Sequence, residues 1–259
     1  MIAVEKTDLP ISYQKYPLIP TCDGATDTVY HLGDAYILKV FNPKTPATQI
    51  DDEVTLLASL QSLPVPRVVA QCTVRNHPAL IYTRCTGKSP RNPDLAQVGQ
   101  IGIFLRNFHA QSARIPIRCH GRYGRSALEE LTHLVGEKHL RSLWQSRDLD
   151  WEEHGVIHGD LFPDNCTFEA GKLRGVFDFS GVCRGDIRFD LGVVAAGWCF
   201  DGSHPNTTKM TTLLHHYDSD ISLSVLIPYI RAALLYYGMR RRLHGRDDRP
   251  LIQRLEALS

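Results

Sequence analysis

The residues best suited to chemistry lie in two short segments, each preceded by apolar residues. The first contains His158-Gly159-Asp160 and, five residues after the aspartate, Asn165; the second contains Asp178. Phosphoryl transfer from ATP requires a carboxylate that orients the attacking hydroxyl and accepts its proton, and oxygen ligands for magnesium. Asp160 fits the role of this base. Asn165 and Asp178 fit the role of metal ligands, because Mg²⁺ prefers hard oxygen donors.

The first 85 residues have the pattern of a small β-sheet with one helix. Short runs rich in β-branched and aromatic residues, two of them separated by Gly33-Asp34, predict strands. A helix is expected after the second strand, because Thr45 can cap it and Pro46 suits its first position. The predicted strands are 28–32, 36–41, 65–70 and 79–83.

After residue 85 the pattern becomes mainly helical. Apolar residues recur with helical spacing from Leu95 to His109, and a long helix is predicted over residues 221–242. Short apolar runs joined by turns interrupt the helices between these two. A hairpin between Asn165 and Asp178 would bring the two expected metal ligands together.

This order of elements predicts an α+β fold of two lobes with a cleft between them. Residues 1–85 would form a β-rich N-terminal lobe that binds nucleotide. Residues 86–259 would form a mainly α-helical C-terminal lobe that carries the catalytic and substrate-binding residues. Strands and helices segregated in this way argue against a doubly wound α/β sheet.

Composition restricts the classes of partner. The formal net charge of +1 favours neither nucleic acid nor a strongly cationic partner. The N-terminal residues lack the pattern of a signal peptide, and no long uncharged apolar run predicts a membrane span, so a cytoplasmic location is expected. The seven cysteines have irregular spacing and no C-x-x-C pair, which argues against a disulfide framework or a thiolate metal site.

The two chemical segments resemble a known superfamily. H-G-D-L-x-x-x-N from His158 to Asn165, followed by an apolar strand and Asp178-Phe179, is similar to the catalytic and metal-binding loops of aminoglycoside phosphotransferases and choline kinases. The resemblance implies a protein-kinase-like fold, ATP as co-substrate, Mg²⁺ as cofactor and a small-molecule hydroxyl acceptor. It also implies that His158 holds the catalytic loop and that Asp190 supports it.

The resemblance extends to the expected nucleotide site. Lys39 stands in a segment that resembles the kinase strand whose lysine contacts the phosphates, and Glu53 stands where its ion-pair partner is expected. From the residues alone, a snorkelling lysine and a solvated glutamate are the alternative. A G-x-G-x-x-G loop is missing from the sequence, but the Thr26 and Thr28 hydroxyls could cover phosphates.

Two further pairs of residues complete the expected site. Tyr82 and Thr83 occupy the position of the interlobe hinge, where backbone groups would bond adenine. Asp186 and Arg184 lie between the metal segment and the next helix, where an acceptor hydroxyl should approach. The interval from Asp178 to Asp190 is too short for the activation segment of a protein kinase.

Within the superfamily, the sequence is most similar to the homoserine kinase branch that is distinct from GHMP kinases. The resemblance spans about residues 15 to 245 and includes Phe189-Asp190-Leu191, Trp198-Cys199 and the helix that contains Arg231-Ala232-Ala233. It makes L-homoserine the favoured acceptor. The chain is shorter than is typical of that branch, so elements around the acceptor are expected to differ.

Other functions stay open on the residues alone. The same chemistry would serve an aminoglycoside, choline, ethanolamine, a sugar or another hydroxylated amino acid. A non-catalytic nucleotide-binding protein would keep the fold, although it would be expected to lose Asp160, Asn165, Asp178 or Lys39. A metal-dependent hydrolase would need further ligands at helical spacing such as H-E-x-x-H, which the sequence lacks.

Overall fold

The computed structural model describes residues 2–21, 27–145, 149–217 and 220–258. The N-terminal part contains an antiparallel five-stranded sheet and one helix. Its elements are β1 (Leu18–Pro20), β2 (Thr28–Leu32), β3 (Tyr36–Val40), α1 (Ala47–Ser59), β4 (Val68–Val74) and β5 (His77–Thr83). The strand order is β1-β2-β3-β5-β4, so β3, which carries Lys39, is the central strand of the sheet.

The rest of the described chain is mainly helical and contains short two-stranded ladders. Its elements are α2 (Leu95–Ser112), α3 (Arg125–Val135), α4 (Lys138–Gln145), β6 (Gly155–Ile157), β7 (Cys166–Glu169), β8 (Lys172–Val176), β9 (Cys183–Gly185), α5 (Ile187–Trp198), β10 (Phe200–Asp201), β11 (His204–Pro205), α6 (Thr207–Tyr217), α7 (Leu223–Leu243) and α8 (Arg249–Glu256). The predicted α+β composition is confirmed.

Alternation along β3 gives the sheet two different faces. Leu38 and Val40 pack against Leu9 of the N-terminal segment in one apolar cluster. Because successive strand residues point to opposite faces, Lys39 points to the other side, towards α1. Val29 is its cross-strand partner on β2 and therefore shares the face of Lys39.

Some boundaries in the sheet differ from the prediction. β4 and β5 are longer than expected and form a hairpin through Arg75 and Asn76, both of which have positive φ (47° and 65°). That conformation suits a two-residue hairpin turn, but the pair lacks the glycine that usually marks one. β1 was not predicted. Helix α1 begins at Ala47, with Pro46 as the preceding cap residue.

Two ladders bring the chemical segments together. β6 leads directly into His158 and pairs with β9, which follows the segment of Asp178. β7 and β8 pair as the hairpin predicted between Asn165 and Asp178. The loop after β6, which carries Asp160, and the loop after β8, which carries Asp178, are therefore held close together.

Helices α5 and α7 pack against each other and against the catalytic loop. A Cβ on Gly192 of α5 would lie 2.6 Å from the backbone of Tyr229 on α7, so the helices approach closely at the glycine. Trp198, at the end of α5, is fully buried, and its Nε1–H donates to the carbonyl of Leu161 at 3.0 Å. Helix α5 thus bonds directly to the catalytic loop. None of the described helices combines the length and apolarity needed to cross a bilayer.

Candidate active site

One buried carboxylate holds the start of the catalytic loop. Asp190, in the first turn of α5, accepts the backbone N–H of His158 at 2.8 Å and that of Gly159 at 2.7 Å. Its side chain has no exposed surface. Since a buried charge needs such donors, Asp190 fixes the backbone just before Asp160, the arrangement expected of a supporting residue.

His158 links this loop to the segment that contains Asp178. The backbone N–H of Asp160 donates to His158 Nδ1 at 3.2 Å, which assigns the proton to Nε2. Nε2 then donates to the carbonyl of Phe177 at 3.1 Å. Burial lowers the pKa of His158 below its usual value, so the neutral imidazole is favoured. The side chain is therefore a neutral connector between the two loops.

The environment of Asp160 suits a base. Burial, followed by repulsion from Asp178 and Asp164, raises the pKa of Asp160 to about 7. The Nδ2 atom of Asn165 donates to the Asp160 carbonyl at 2.7 Å and lies 3.2 Å from its carboxylate. A base is most effective when its pKa is close to the working pH, so this carboxylate can take a proton at neutral pH.

Two tyrosines shape the backbone beside the base. Gly159 has φ of 77°, and a Cβ at this position would overlap the ring of Tyr123. The hydroxyl of Tyr237, on α7, donates to the Gly159 carbonyl. Glycine is therefore required here both by the left-handed conformation and by the close aromatic ring. No residue with a side chain would fit here without displacing Tyr123.

Asn165 and Asp178 lie at the ends of the β7–β8 hairpin, and the N–H of Phe177 donates to the Asn165 carbonyl at 3.0 Å. Because Nδ2 of Asn165 is directed at Asp160, its Oδ1 is the atom left for a metal. Asp178 has a φ of 63°, and its side chain is 43% exposed. An amide oxygen and an accessible carboxylate fit Mg²⁺, which completes its coordination with phosphate and water.

No group of three or more His, Cys, Asp or Glu side chains suited to a metal occurs within the described residues. A purely protein-built metal cage of that kind is therefore missing from this part of the chain. The donor set at Asn165 and Asp178 instead matches a metal shared with a bound phosphate.

Lys39 faces this metal pair across the cleft. Its Nζ lies 3.1 Å from Asp178 Oδ1, 3.7 Å from Glu53 Oε2 and 3.6 Å from Asp27 Oδ2. Burial alone would lower the pKa of Lys39, but the carboxylates, led by Asp178, raise it overall. Attraction to Lys39 in turn lowers the pKa of Asp178 to about 2. The predicted Lys39–Glu53 pair is present, and Asp27 is an addition that the sequence did not single out.

Tyr82 has a different role from the one expected. It lies inside β5, paired with Ile37 on one side and Val68 on the other, so its backbone belongs to the sheet. Its hydroxyl donates to Glu53 Oε1 at 2.9 Å. The prediction that its backbone bonds adenine is therefore corrected: the side chain positions Glu53. Thr83 ends the strand and stays a candidate for that contact.

The predicted threonines do not both fall within the cleft. The hydroxyl of Thr28 accepts the backbone N–H of Ile2 at 2.9 Å, and the side chain shares the face of Tyr30 and Leu32, opposite Lys39. The prediction that this hydroxyl covers phosphates is wrong, because the N-terminal segment occupies it. Thr26 lies outside the described residues.

Helix α1 is tied to the C-terminal part by polar residues that no motif marked. Asp52, 1% exposed, accepts the backbone N–H groups of Arg118 and Cys119 at 2.9 and 2.8 Å. One turn earlier, Gln49 Nε2 donates to the Ser180 carbonyl at 2.6 Å. These contacts fix the helix that carries Glu53 relative to the segment of Asp178.

Asp186 is unavailable to an acceptor. It is 1% exposed, caps α5 by accepting the N–H of Arg188, and pairs with the Arg188 guanidinium at 2.7 Å. The hydroxyl of Tyr229 and the N–H of Glu152 reach the same carboxylate. The expectation of a substrate contact is corrected, because these partners enclose it. Arg184 is half-buried on β9, and its contact with an acceptor stays a prediction.

His109 contacts Asp190 and so supports the catalytic loop. The sequence analysis predicted its helix but assigned no role to its side chain. Its Nε2 lies 3.1 Å from Asp190 Oδ2, and its Nδ1 lies 2.9 Å from the hydroxyl of Tyr217. A chain of polar contacts therefore runs from α6 through α2 to the catalytic loop. The sequence did offer one signal: His109 lies on the apolar face of α2. A buried histidine needs a hydrogen-bond partner, so a polar residue packed against this face could have been expected.

Comparisons with known proteins identify the relatives of this chain. A homoserine kinase of Rhodopseudomonas palustris (strain BisA53) is 29% identical over 211 residues, which cover 71% of this chain and 63% of that protein. The chain thus spans less than two thirds of that relative. The streptomycin–ATP ternary complex of APH(2″)-IIa has a TM-score of 0.69 at 16% identity, covering 100% of this chain and 99% of that one.

Choline kinase LicA from Streptococcus pneumoniae has a TM-score of 0.63 at 17% identity, with 93% of this chain and 92% of that chain covered. These structures confirm the predicted protein-kinase-like fold. The profile of the phosphotransferase enzyme family matches residues 19–206, which is well over half of the chain. The chain therefore belongs to the phosphotransferase enzyme family.

Proposed function

We propose that this chain is an ATP- and Mg²⁺-dependent kinase that phosphorylates a hydroxyl group of a small molecule, with L-homoserine as the favoured acceptor. The grouping of four residues, shown by two contacts, carries the proposal. Lys39 Nζ lies 3.1 Å from Asp178, and Asn165 Nδ2 lies 3.2 Å from the Asp160 carboxylate. A cation for phosphates, two oxygen donors for a metal and a base are therefore gathered at one place in the cleft.

The nucleotide would lie between the sheet and the catalytic loop, with its phosphates at Lys39. Adenine would bond to the backbone of the linker after β5, around Thr83 and Cys85. Three N–H groups of this stretch are already used, since Thr83 donates to the Arg67 carbonyl, Arg84 to the Ala35 carbonyl and Lys88 to the Phe168 carbonyl, so Thr83 would contribute its carbonyl and Cys85 its N–H. The ATP complex of the structural neighbour APH(2″)-IIa supports this assignment.

Asn165 Oδ1 and the Asp178 carboxylate would hold Mg²⁺. When bound, the ion supplies neutralisation of the charge on the phosphates. Lys39, with its Nζ 3.1 Å from Asp178, would contribute a second positive charge, and its raised pKa keeps it protonated. The two carboxylates near Lys39 that are not metal ligands, Glu53 and Asp27, hold its ammonium group in place.

Asp160 would accept the proton of the acceptor hydroxyl. The hydroxyl oxygen forms a bond to the γ-phosphorus while the bond from that phosphorus to the bridging oxygen of ADP breaks, so the phosphoryl group is transferred directly and ADP leaves. The raised pKa of Asp160, about 7, leaves a substantial carboxylate fraction at neutral pH and gives it the basicity to take the proton.

The acceptor is the finer part of the proposal. The homoserine kinase name of the relative from R. palustris supports homoserine. The structural neighbours include an aminoglycoside phosphotransferase and a choline kinase, so these acceptors belong in any test.

The test is ADP release by the purified protein with Mg-ATP, measured with L-homoserine, L-threonine, L-serine, choline, ethanolamine and kanamycin. Stimulation by homoserine alone is expected. Stimulation by another acceptor would keep the reaction and replace the acceptor. Binding of Mg-ATP with no stimulation by any acceptor would contradict the catalytic proposal and favour a nucleotide-binding protein.

A further inference from the structure

A pocket of about 380 Å³ opens beside the catalytic loop, and Lys39, Asn165 and Asp178 are not among its lining residues. It is bounded by the loop itself, by the linker at Arg91 and by helices α7 and α8. Phe162 and Asp164, which lie between the base and the metal ligand Asn165 in sequence, form one wall. None of the roles assigned above uses this pocket.

The pocket is close to the base through Tyr237. The ring of Tyr237 packs edge-on against Phe162, with centroids 4.7 Å apart, and its hydroxyl donates to the Gly159 carbonyl. Arg241 lies four residues further along α7, so it projects from the same face one turn away. Arg241 also lines the pocket. The pocket therefore begins about one helical turn from the residue that touches the catalytic loop.

The side chains of this pocket are strongly cationic. Three arginines line it (Arg91, Arg241 and Arg254), against one carboxylate, Asp164, among its described lining residues. Within the described part of the chain, none of the three forms an ion pair. Arg241 is close enough to Asp247 to help lower the pKa of that carboxyl, but no ion pair within 4.0 Å holds it among the described residues. Arginines around a cavity are a common means of binding a carboxylate or phosphate.

Arg254 is held in place by neutral groups. Its Nε and Nη1 donate to the carbonyls of Gly202 and Ala196 at 2.9 and 2.8 Å. Burial, followed by repulsion from Arg241, lowers its pKa below the usual value for arginine. Two guanidinium groups that repel each other across a pocket gain stability from an anion between them.

We propose that this arginine-lined pocket binds an anionic group of the acceptor. The inference deepens the proposed phosphotransferase function and rests on it. The acceptor is then a hydroxyl compound that carries a carboxylate or a phosphate. A polycationic aminoglycoside would meet three arginines and one aspartate, which is the wrong sign of field for it. Asp164 adds a place for an ammonium group, as an α-amino acid would present.

The first test compares two acceptors that differ only in the anionic group. L-homoserine carries a carboxylate, and 3-amino-1-propanol is the same molecule without it. We expect kcat/KM to be at least about tenfold higher for L-homoserine, the change that corresponds to one charged hydrogen bond. Equal use of the two compounds by the wild type would overturn the inference while leaving the phosphotransferase reaction in place.

The second test uses neighbouring arginines on one helix. Arg241→Gln should raise the KM for L-homoserine about tenfold, with little change in kcat or in the KM for ATP. Arg240→Gln removes the same charge next to it, but Arg240 does not line the pocket, so the KM should change little. Equal effects of the two substitutions would overturn the assignment and indicate a general charge effect.

A binding measurement keeps this test independent of turnover. If the wild type releases no ADP with any acceptor, the phosphotransferase proposal fails, and calorimetric binding of L-homoserine then decides the pocket. Binding weakened by Arg241→Gln and kept by Arg240→Gln would support it. Binding of equal strength in all three proteins would overturn it. Inorganic phosphate added to the titration should compete with homoserine if both use the arginines, and the absence of competition would count against the pocket.

Discussion

The carboxylate of Asp190 accepts the backbone N–H groups of both His158 and Gly159, so a residue of α5 fixes the conformation of the catalytic loop. A third contact comes from His109, 3.1 Å from Oδ2. The carboxylate therefore has donors on both oxygens and is fully buried. Its charge is stabilised by these N–H donors, which are brought together only in the folded protein.

Asp190→Asn should destabilise the protein and slow turnover. The amide replaces one acceptor oxygen by a donor, which leaves one backbone N–H of the loop unsatisfied and buried. We expect a loss of about 1–3 kcal/mol in the free energy of unfolding, measured by urea denaturation. Asp247→Asn, at an exposed acid that pairs only locally with Arg249, is the control. An equal loss in both variants would contradict the supporting role of Asp190.

Gly159→Ala should be more harmful than the same change at another left-handed glycine. Gly159 and Gly121 have φ of 77° and 68°, so alanine is strained at both positions. At Gly121 a Cβ would meet nothing within 4 Å, whereas at Gly159 it would overlap Tyr123. Backbone strain alone is about 1–2 kcal/mol. Thermal unfolding of both variants tests this: similar losses of stability would rule out the overlap.

The catalytic segment was predictable because its signal is local. Asp160 and Asn165 are five residues apart, and the β7–β8 hairpin that follows is short. Lys39 and Glu53 were matched through the resemblance of their segments to the kinase strand and the helix that follows it, whereas the residues alone left a snorkelling lysine and a solvated glutamate open. In each case the residues that meet are close in sequence or belong to adjacent elements.

The wrong predictions concern contacts between distant parts of the chain. Thr28 lies two residues before the buried Tyr30 on β2, so the alternation along the strand already put both side chains on the same face, opposite Lys39. The prediction placed Thr28 at the phosphates instead. What the sequence could not show was the N-terminal segment that occupies its hydroxyl. Asp186 was placed at the acceptor, but Tyr229, from α7, helps to enclose it. The arginine-lined pocket also depends on α8 packing beside α7, which no local pattern encodes.

Asp160→Asn should reduce turnover by about 10²–10⁴-fold, because an amide cannot accept the proton of the acceptor hydroxyl. The Kd for Mg-ATP should stay nearly unchanged, since the ion-pair partners of Lys39 among the described residues are Asp27, Glu53 and Asp178, and Asp160 is not one of them. ADP release and calorimetric titration of Mg-ATP measure the two quantities. Glu169→Gln, at an exposed acid in the β7–β8 hairpin, should keep normal turnover. Normal turnover in Asp160→Asn would remove it as the base.

Asp178→Ala should abolish the part of ATP binding that depends on Mg²⁺. The substitution removes the proposed metal ligand and also the nearest carboxylate of Lys39, at 3.1 Å. Titration of ATP with Mg²⁺ and with EDTA separates the two effects, because only the first condition needs the metal ligand. Glu152→Gln, at an exposed acid, is the control. If Mg²⁺ strengthened ATP binding by Asp178→Ala as much as binding by the wild type, Asp178 would not be a metal ligand.

His158 should make the protein less stable as pH falls. Burial lowers its folded-state pKa below the unfolded value of about 6.5, so the unfolded chain binds the extra proton more readily. The stability contributed by neutral His158 is therefore fully present above about pH 6.5 and is lost as pH falls towards and through the folded pKa. Because the chain has 12 histidines, the comparison must be between variants.

The decrease in unfolding free energy from pH 7.5 to pH 5 should be smaller in His158→Gln than in the wild type, because glutamine cannot take up the proton. His154→Gln removes an exposed histidine on the segment before β6 and should leave the wild-type decrease unchanged. Urea denaturation at a series of pH values measures all three proteins. If the decrease were the same in His158→Gln and in the wild type, the buried imidazole would not be the group whose protonation destabilises the catalytic loop.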